Sequence, residues 1–85
     1  MKHAGGKALE ALGGLLADIR KQGGLVERSP GVFYRKGRAF LHFHEDPAGL
    51  FADLRCDGDW RRFHVSDAAE QAALLKILAD CERRR

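Results

Sequence analysis

Two runs with period-2 alternation flank Asp46-Pro47-Ala48-Gly49, and together they constrain the chain more than any other feature. Arg38-Ala-Phe-Leu-His-Phe-His-Glu45 leads into the loop, and Leu50-Phe-Ala-Asp-Leu-Arg-Cys56 leads out of it. Period-2 alternation on both sides of a Pro/Gly-containing loop predicts a β-hairpin. Pairing Glu45 with Leu50 sets Leu41 opposite Leu54 and Phe43 opposite Ala52 on one face. The other face then carries Phe40 opposite Arg55, His42 opposite Asp53 and His44 opposite Phe51. A slip of one residue would mix polar and apolar side chains on both faces, so the pattern selects this register.

The remaining turn signals extend the sheet. Lys36-Gly37 predicts a two-residue turn between Val32–Arg35 and Arg38, because glycine supplies the positive φ such turns need. Continued from Arg35 opposite Arg38, this pairing puts Val32 and Tyr34 on the apolar side with Leu41 and Ala39. Phe33 falls opposite Phe40 on the other side. Asp57-Gly58 predicts a second tight turn, which sets Cys56 opposite Asp59, Ala52 opposite Phe63 and Leu50 opposite Val65. All three turns name the same face as the core, and the agreement predicts a four-stranded antiparallel meander.

A helix is expected before the strands. Leu9, Leu12, Leu15, Leu16 and Ile19 recur at helical spacing from Lys7 onward, and Arg20-Lys21 followed by Gly23-Gly24 marks the stop. Gly13-Gly14 interrupts this pattern: either the glycines bring the helix close to the sheet, or the helix proper begins at Leu15. Leu25 to Pro30 reads as a connector. A second helix is expected over 67–81, capped by Ser66, with Leu74, Ile77, Leu78 and Cys81 as its buried stripe. Residues 1–6 and 82–85 are expected to fray. The resulting order is α-β-β-β-β-α, a two-layer α+β domain with both helices on one face of the sheet.

A chain of 85 residues holds one core. Its formal charge of +3 owes much to Arg83-Arg84-Arg85, so charge alone does not name a nucleic-acid partner. Cys56 and Cys81 are too few and too far apart for a zinc finger or a disulfide framework. With no apolar segment at the start, a cytoplasmic location and two reduced thiols are expected. No apolar run reaches the roughly 20 residues that would span a bilayer, so no membrane partner is expected.

The stretch Val32-Phe-Tyr-Arg-Lys-Gly-Arg-Ala-Phe40, followed by a further strand and by Leu50-Phe-Ala-Asp-Leu-Arg55, resembles small uncharacterised bacterial α/β proteins. It is more distantly similar to the MmcQ/YjbR-like and TfoX N-terminal families, in which a Gly-Lys-x-Phe-Ala type hairpin begins a comparable sheet. Gly37-Arg38-Ala39-Phe40 approximates that motif. The resemblance implies a binding module associated with DNA or regulation, and it transfers no catalytic residue.

The face away from the expected core collects Phe33, Phe40, His42, His44, Phe51, Asp53, Arg55, Trp60, Arg62 and His64. Four readings compete for this surface. The four aromatic rings argue for self-association into a homodimer, since soluble monomers seldom expose so large an apolar patch. Rings beside arginines on an open sheet also suit single-stranded nucleic acid, whose bases stack on such platforms. His42, His44 and His64 could supply a zinc site. Asp53 opposite His42 is half of a catalytic arrangement, but a nucleophile to complete it is missing, so no enzyme is expected. Cys56 and Cys81 read as buried packing groups on the core side. The expectation is a small binding module that works through the open face and self-associates, with single-stranded nucleic acid as the alternative and a histidine metal site third.

Overall fold

The computed structural model describes the backbone of residues 2–83 and the side chains of residues 3–81. The long hairpin is present in the expected register. Strand β4 (Arg38–Asp46) pairs with β5 (Gly49–Arg55), with Leu41 opposite Leu54, His42 opposite Asp53, Phe43 opposite Ala52 and His44 opposite Phe51. The ladder extends one pair beyond Glu45 and Leu50, to Asp46 opposite Gly49, which leaves Pro47 and Ala48 as the loop. Asp46 stabilises that loop by accepting a hydrogen bond from the Ala48 N–H at 3.0 Å. Strand β6 (Trp60–His64) continues the sheet, with Asp53 opposite Arg62 and Ala52 opposite Phe63. The Asp57-Gly58 register therefore holds, although residues 56–59 form a bend rather than a paired two-residue turn.

The sheet is larger than a four-stranded meander. The expected connector contains strand β2 (Val26–Ser29), which pairs with β3 (Val32–Arg35) and makes the order β2-β3-β4-β5-β6. A two-residue strand, β1 (Lys2–His3), pairs with β4 through Lys2–Glu45 and His3–His44, so these residues do not fray. Fraying of Met1, Arg84 and Arg85 concerns residues outside those described. The β2–β3 turn passes through Gly31, at φ 76°, where an added Cβ would lie 2.9 Å from Leu9 Cδ2. The Glu27 carboxylate secures the turn by accepting hydrogen bonds from the Gly31 N–H and, in a paired arrangement, from Arg20.

The N-terminal helical segment is two helices, α1 (Gly6–Ala11) and α2 (Gly13–Gln22), broken at Leu12. Leu12, Leu15, Leu16 and Ile19 are all buried, as their spacing predicts. Helix α3 (Ala68–Arg83) buries Leu74, Leu78 and Cys81. Its cap is Asp67 rather than Ser66. Asp67 accepts the Glu70 N–H at 2.8 Å, and Glu70 accepts the Ser66 and Asp67 N–H groups in return. Ser66 Oγ instead accepts the Leu50 N–H, tying the start of the helix to the start of β5. The helices and the inner face of the sheet share one core, built on Leu41, Phe43, Ala52, Leu54 and Val65 from the sheet side.

Two expectations are corrected in this core. Phe33 and Phe40 belong to it, at 1% and 5% exposure, and not to the outer face. Tyr34 pairs with Ala39 as expected, but Phe33 then pairs with Leu41, so Phe40 is an extra residue in β4. This β-bulge reverses the alternation of β3 relative to the rest of the sheet. Phe33 and Arg35 point inward, and Tyr34 turns outward. The cysteines are also not reduced: Cys56 and Cys81 form a disulfide, with Cα atoms 5.9 Å apart. Cys56 follows β5 on the core side and Cys81 lies on the buried stripe of α3. Packing the helix on the sheet brings together two residues that are 25 apart in the chain.

Candidate functional site

The outer face is built from three rows of side chains running across the strands. At the end nearest the β1 pairing, His3, His44, Phe51 and His64 lie opposite one another on β1, β4, β5 and β6. The middle row is Val32, His42, Asp53 and Arg62, from β3 to β6. The third row contains Tyr34, Ala39, Arg55 and Trp60. Of the residues expected here, His42, His44, Phe51, Asp53, Arg55, Trp60, Arg62 and His64 share this face. His3 joins them, although nothing in its sequence surroundings marks a strand.

The middle row centres on Asp53. Arg62 donates two hydrogen bonds to its carboxylate, at 2.8 and 3.0 Å. His44 Nε2 lies 3.0 Å from Asp53 Oδ2, so aspartate meets the diagonal histidine and not the directly opposed His42. The Arg62 hydrogen bonds, with further help from the nearby positive charges, hold the Asp53 carboxyl below its ordinary range. Burial pushes the His42 imidazole below its ordinary range, and repulsion from His3 and His44 adds to that effect. His42 Nε2 is buried and has no hydrogen-bond partner among the described residues.

Three imidazoles cluster on this surface, with His3–His42, His3–His44 and His42–His44 centroid distances of 5.6, 5.0 and 6.2 Å. The third ring near His42 and His44 is therefore His3. His64 lies across the sheet against Phe51, at 4.5 Å between centroids. Among the described residues, no group of three or more His, Cys, Asp or Glu side chains is placed to hold a metal ion.

The third row alternates cations with rings. Arg28 stacks over Tyr34 at 4.4 Å from its centroid, and Arg55 stacks over Trp60 at 4.9 Å. Arg55 also donates to the Ala39 carbonyl at 2.6 Å, which fixes the guanidinium in the plane of the face. His42 packs against the same indole at 5.2 Å. Trp60 keeps 43% of its surface exposed, whereas Phe51 is covered to 7% by its neighbours. Arg35 is buried on the core side.

Compared with family models, curated proteins and solved structures, the chain has no significant match. No helix among the described residues is long and apolar enough to cross a membrane.

Proposed function

We propose that this chain is a small binding module whose working surface is the outer face of the sheet, and that this surface takes single-stranded nucleic acid. The observation that carries the reading is the third row, where two guanidinium–ring stacks end on a half-exposed tryptophan. A flat row of rings and cations stacks on bases of any sequence, while the guanidinium groups meet phosphates. Asp53, the one carboxylate in the three rows, is neutralised by Arg62 and does not oppose a polyanion. The resemblance of the Val32–Phe40 hairpin implies a binding role of the same kind. A cytoplasmic location belongs to this proposal.

Self-association is the second reading, and it now has less to stand on. With Phe33 and Phe40 in the core, Trp60 and Val26 are the large apolar side chains left exposed among the described residues. That is well short of the contiguous patch a sheet-on-sheet dimer needs.

The single tryptophan is itself the reporter. Adding a single-stranded oligonucleotide should quench its fluorescence saturably at micromolar protein, with affinity falling steeply as salt rises. Arg55→Gln should weaken the effect. Absence of quenching, together with a doubled solution mass by light scattering, would replace this reading with self-association. A monomer with no quenching would dismiss both.

A further inference from the structure

A second feature adjoins the third outer-face row and shares Ala39 and Arg55 with it. The β4–β5 ladder stops at Leu41–Leu54, while β4 starts three residues earlier and remains paired with β3. The bulge at Phe40 therefore leaves a fork between the start of β4 and the end of β5. A cavity of 220 Å³ occupies this fork, and Arg35, Lys36, Arg38 and Arg55 line it together with Phe40 and Cys56. No acidic side chain is among the described residues that line it. Lys36 and Arg38 are exposed at its mouth, so the cavity favours an anion.

Cys56 gives this cavity chemistry, because its sulfur is half of the disulfide to Cys81. The two sulfurs have different surroundings. Cys56 is half-buried and lines the cavity, whereas Cys81 is 1% exposed on the buried stripe of α3. Arg35 Nη1 lies 3.6 Å from Cys81 Sγ, within the sulfur hydrogen-bond range, and its guanidinium is held over the Phe40 ring. A disulfide flanked in this way is polarised: one sulfur can be approached from solvent, and the other can leave as a thiolate beside a fixed cation.

We propose that the cavity receives a low-molecular-weight thiol bearing carboxylates, which exchanges with the disulfide at Cys56. Lys36 and Arg38 hold the carboxylates, and the incoming thiolate attacks Cys56 Sγ. A new bond forms between that sulfur and Cys56 while the Cys56–Cys81 bond breaks, and the electron pair leaves on Cys81 Sγ beside Arg35. A second molecule of the same thiol attacks the mixed disulfide and releases Cys56 as a thiolate. Two thiols are oxidised to their disulfide, one protein disulfide is reduced to two thiols, and protons exchange with solvent. Exchange is faster when the leaving thiolate is stabilised, which is the part Arg35 plays.

The oxidised full chain would be mixed with glutathione, an acidic tripeptide thiol, or with cysteamine, a cationic one. Rates would be compared at equal thiolate concentration by trapping and mass measurement. Glutathione should react at least tenfold faster at low salt, and this advantage should shrink severalfold at high salt as the cations are screened. Lys36→Gln combined with Arg38→Gln alters two exposed residues, so it tests the cations without disturbing the core, and it should remove most of the preference. Arg35→Gln should slow both thiols. The trapped adduct should map to Cys56. Equal rates for the two thiols, a preference unaffected by salt or by the double substitution, or an adduct at Cys81 would each overturn the proposal. So would two free thiols in protein prepared under air.

Discussion

The two hairpins that share β4 obey different rules. Between β4 and β5 the alternation runs unbroken for six pairs, with Leu41, Phe43, Ala52 and Leu54 turned to the core and His42, His44 and Asp53 turned outward. Between β3 and β4 it runs for two pairs from the turn, meets an extra residue at Phe40, and resumes on the opposite face. The difference lies in contrast. In the first hairpin Leu41 and Phe43 alternate with His42 and His44, so a register error would bury imidazoles and expose leucine. In the second, Val32, Phe33, Tyr34, Ala39 and Phe40 are apolar or aromatic on both sides of the strand. Either face could be buried there, and packing against the helical layer decides which one is.

The largest effect that separates the two hairpins should come from Phe33→Ala. With the ring buried in the core, the substitution should cost about 3–5 kcal/mol in a urea titration. Tyr34→Ser, one residue along and on the outer face, should cost much less. The reverse order, a large loss at Tyr34 and a small one at Phe33, would mean that β3 keeps the unbroken alternation and has no bulge.

A smaller effect is expected in the regular hairpin. Asp53→Asn removes a charged acceptor of Arg62 and a neighbour of His44, and should lower the urea midpoint by much less than Phe33→Ala, because the Arg62 side of the pair is open to solvent. If the substitution is silent, the middle row contributes shape but no binding energy to the fold.

The smallest effect is a pH dependence. Because the folded His42 pKa is lowered, the unfolded chain binds the proton more readily. Stability should therefore fall as pH drops from about 7 through the ordinary histidine range, and level off below the folded pKa. Asp53 acts further down: its lowered pKa contributes stability that is lost only as pH falls through the acid range below about 4. His42→Gln should flatten the upper part of the melting-temperature profile and leave the lower part in place. A profile unchanged by the substitution would assign the upper slope to another group.

The α+β class, the β4–β5–β6 registers, the buried stripe of α3 and eight of the ten outer-face residues could be read from the sequence, because each rests on a local period or turn. What could not be read depends on tertiary contact. Val-Glu-Arg-Ser at 26–29 alternates too weakly to show as a strand, and becomes one because β3 offers an edge. Lys2–His3 pairs for the same reason beyond the end of β3. Phe40 gives no sign of a bulge, since nothing beside it marks the extra residue. The disulfide depends on how α3 lies over β5, and Cys56 and Cys81 carry no spacing motif. Arg35 is hidden for a related reason: its alternation is inherited from the bulge, and its partner sulfur comes from the helix.

Ser66 and Cys81 together turn α3 into a measuring rod. The serine hydroxyl fixes one end of the rod to Leu50, and the disulfide fixes the other end to the far end of the same strand. Each residue along a helix advances about 1.5 Å and rotates about 100°. The span between these two fixings is therefore tuned in angle as well as length. One residue inserted between them would swing Cys81 about a quarter-turn off the sheet and leave both thiols open to alkylation. Changes along the solvent side of the rod leave its phase intact, so this helix should accept many substitutions and very few changes of length.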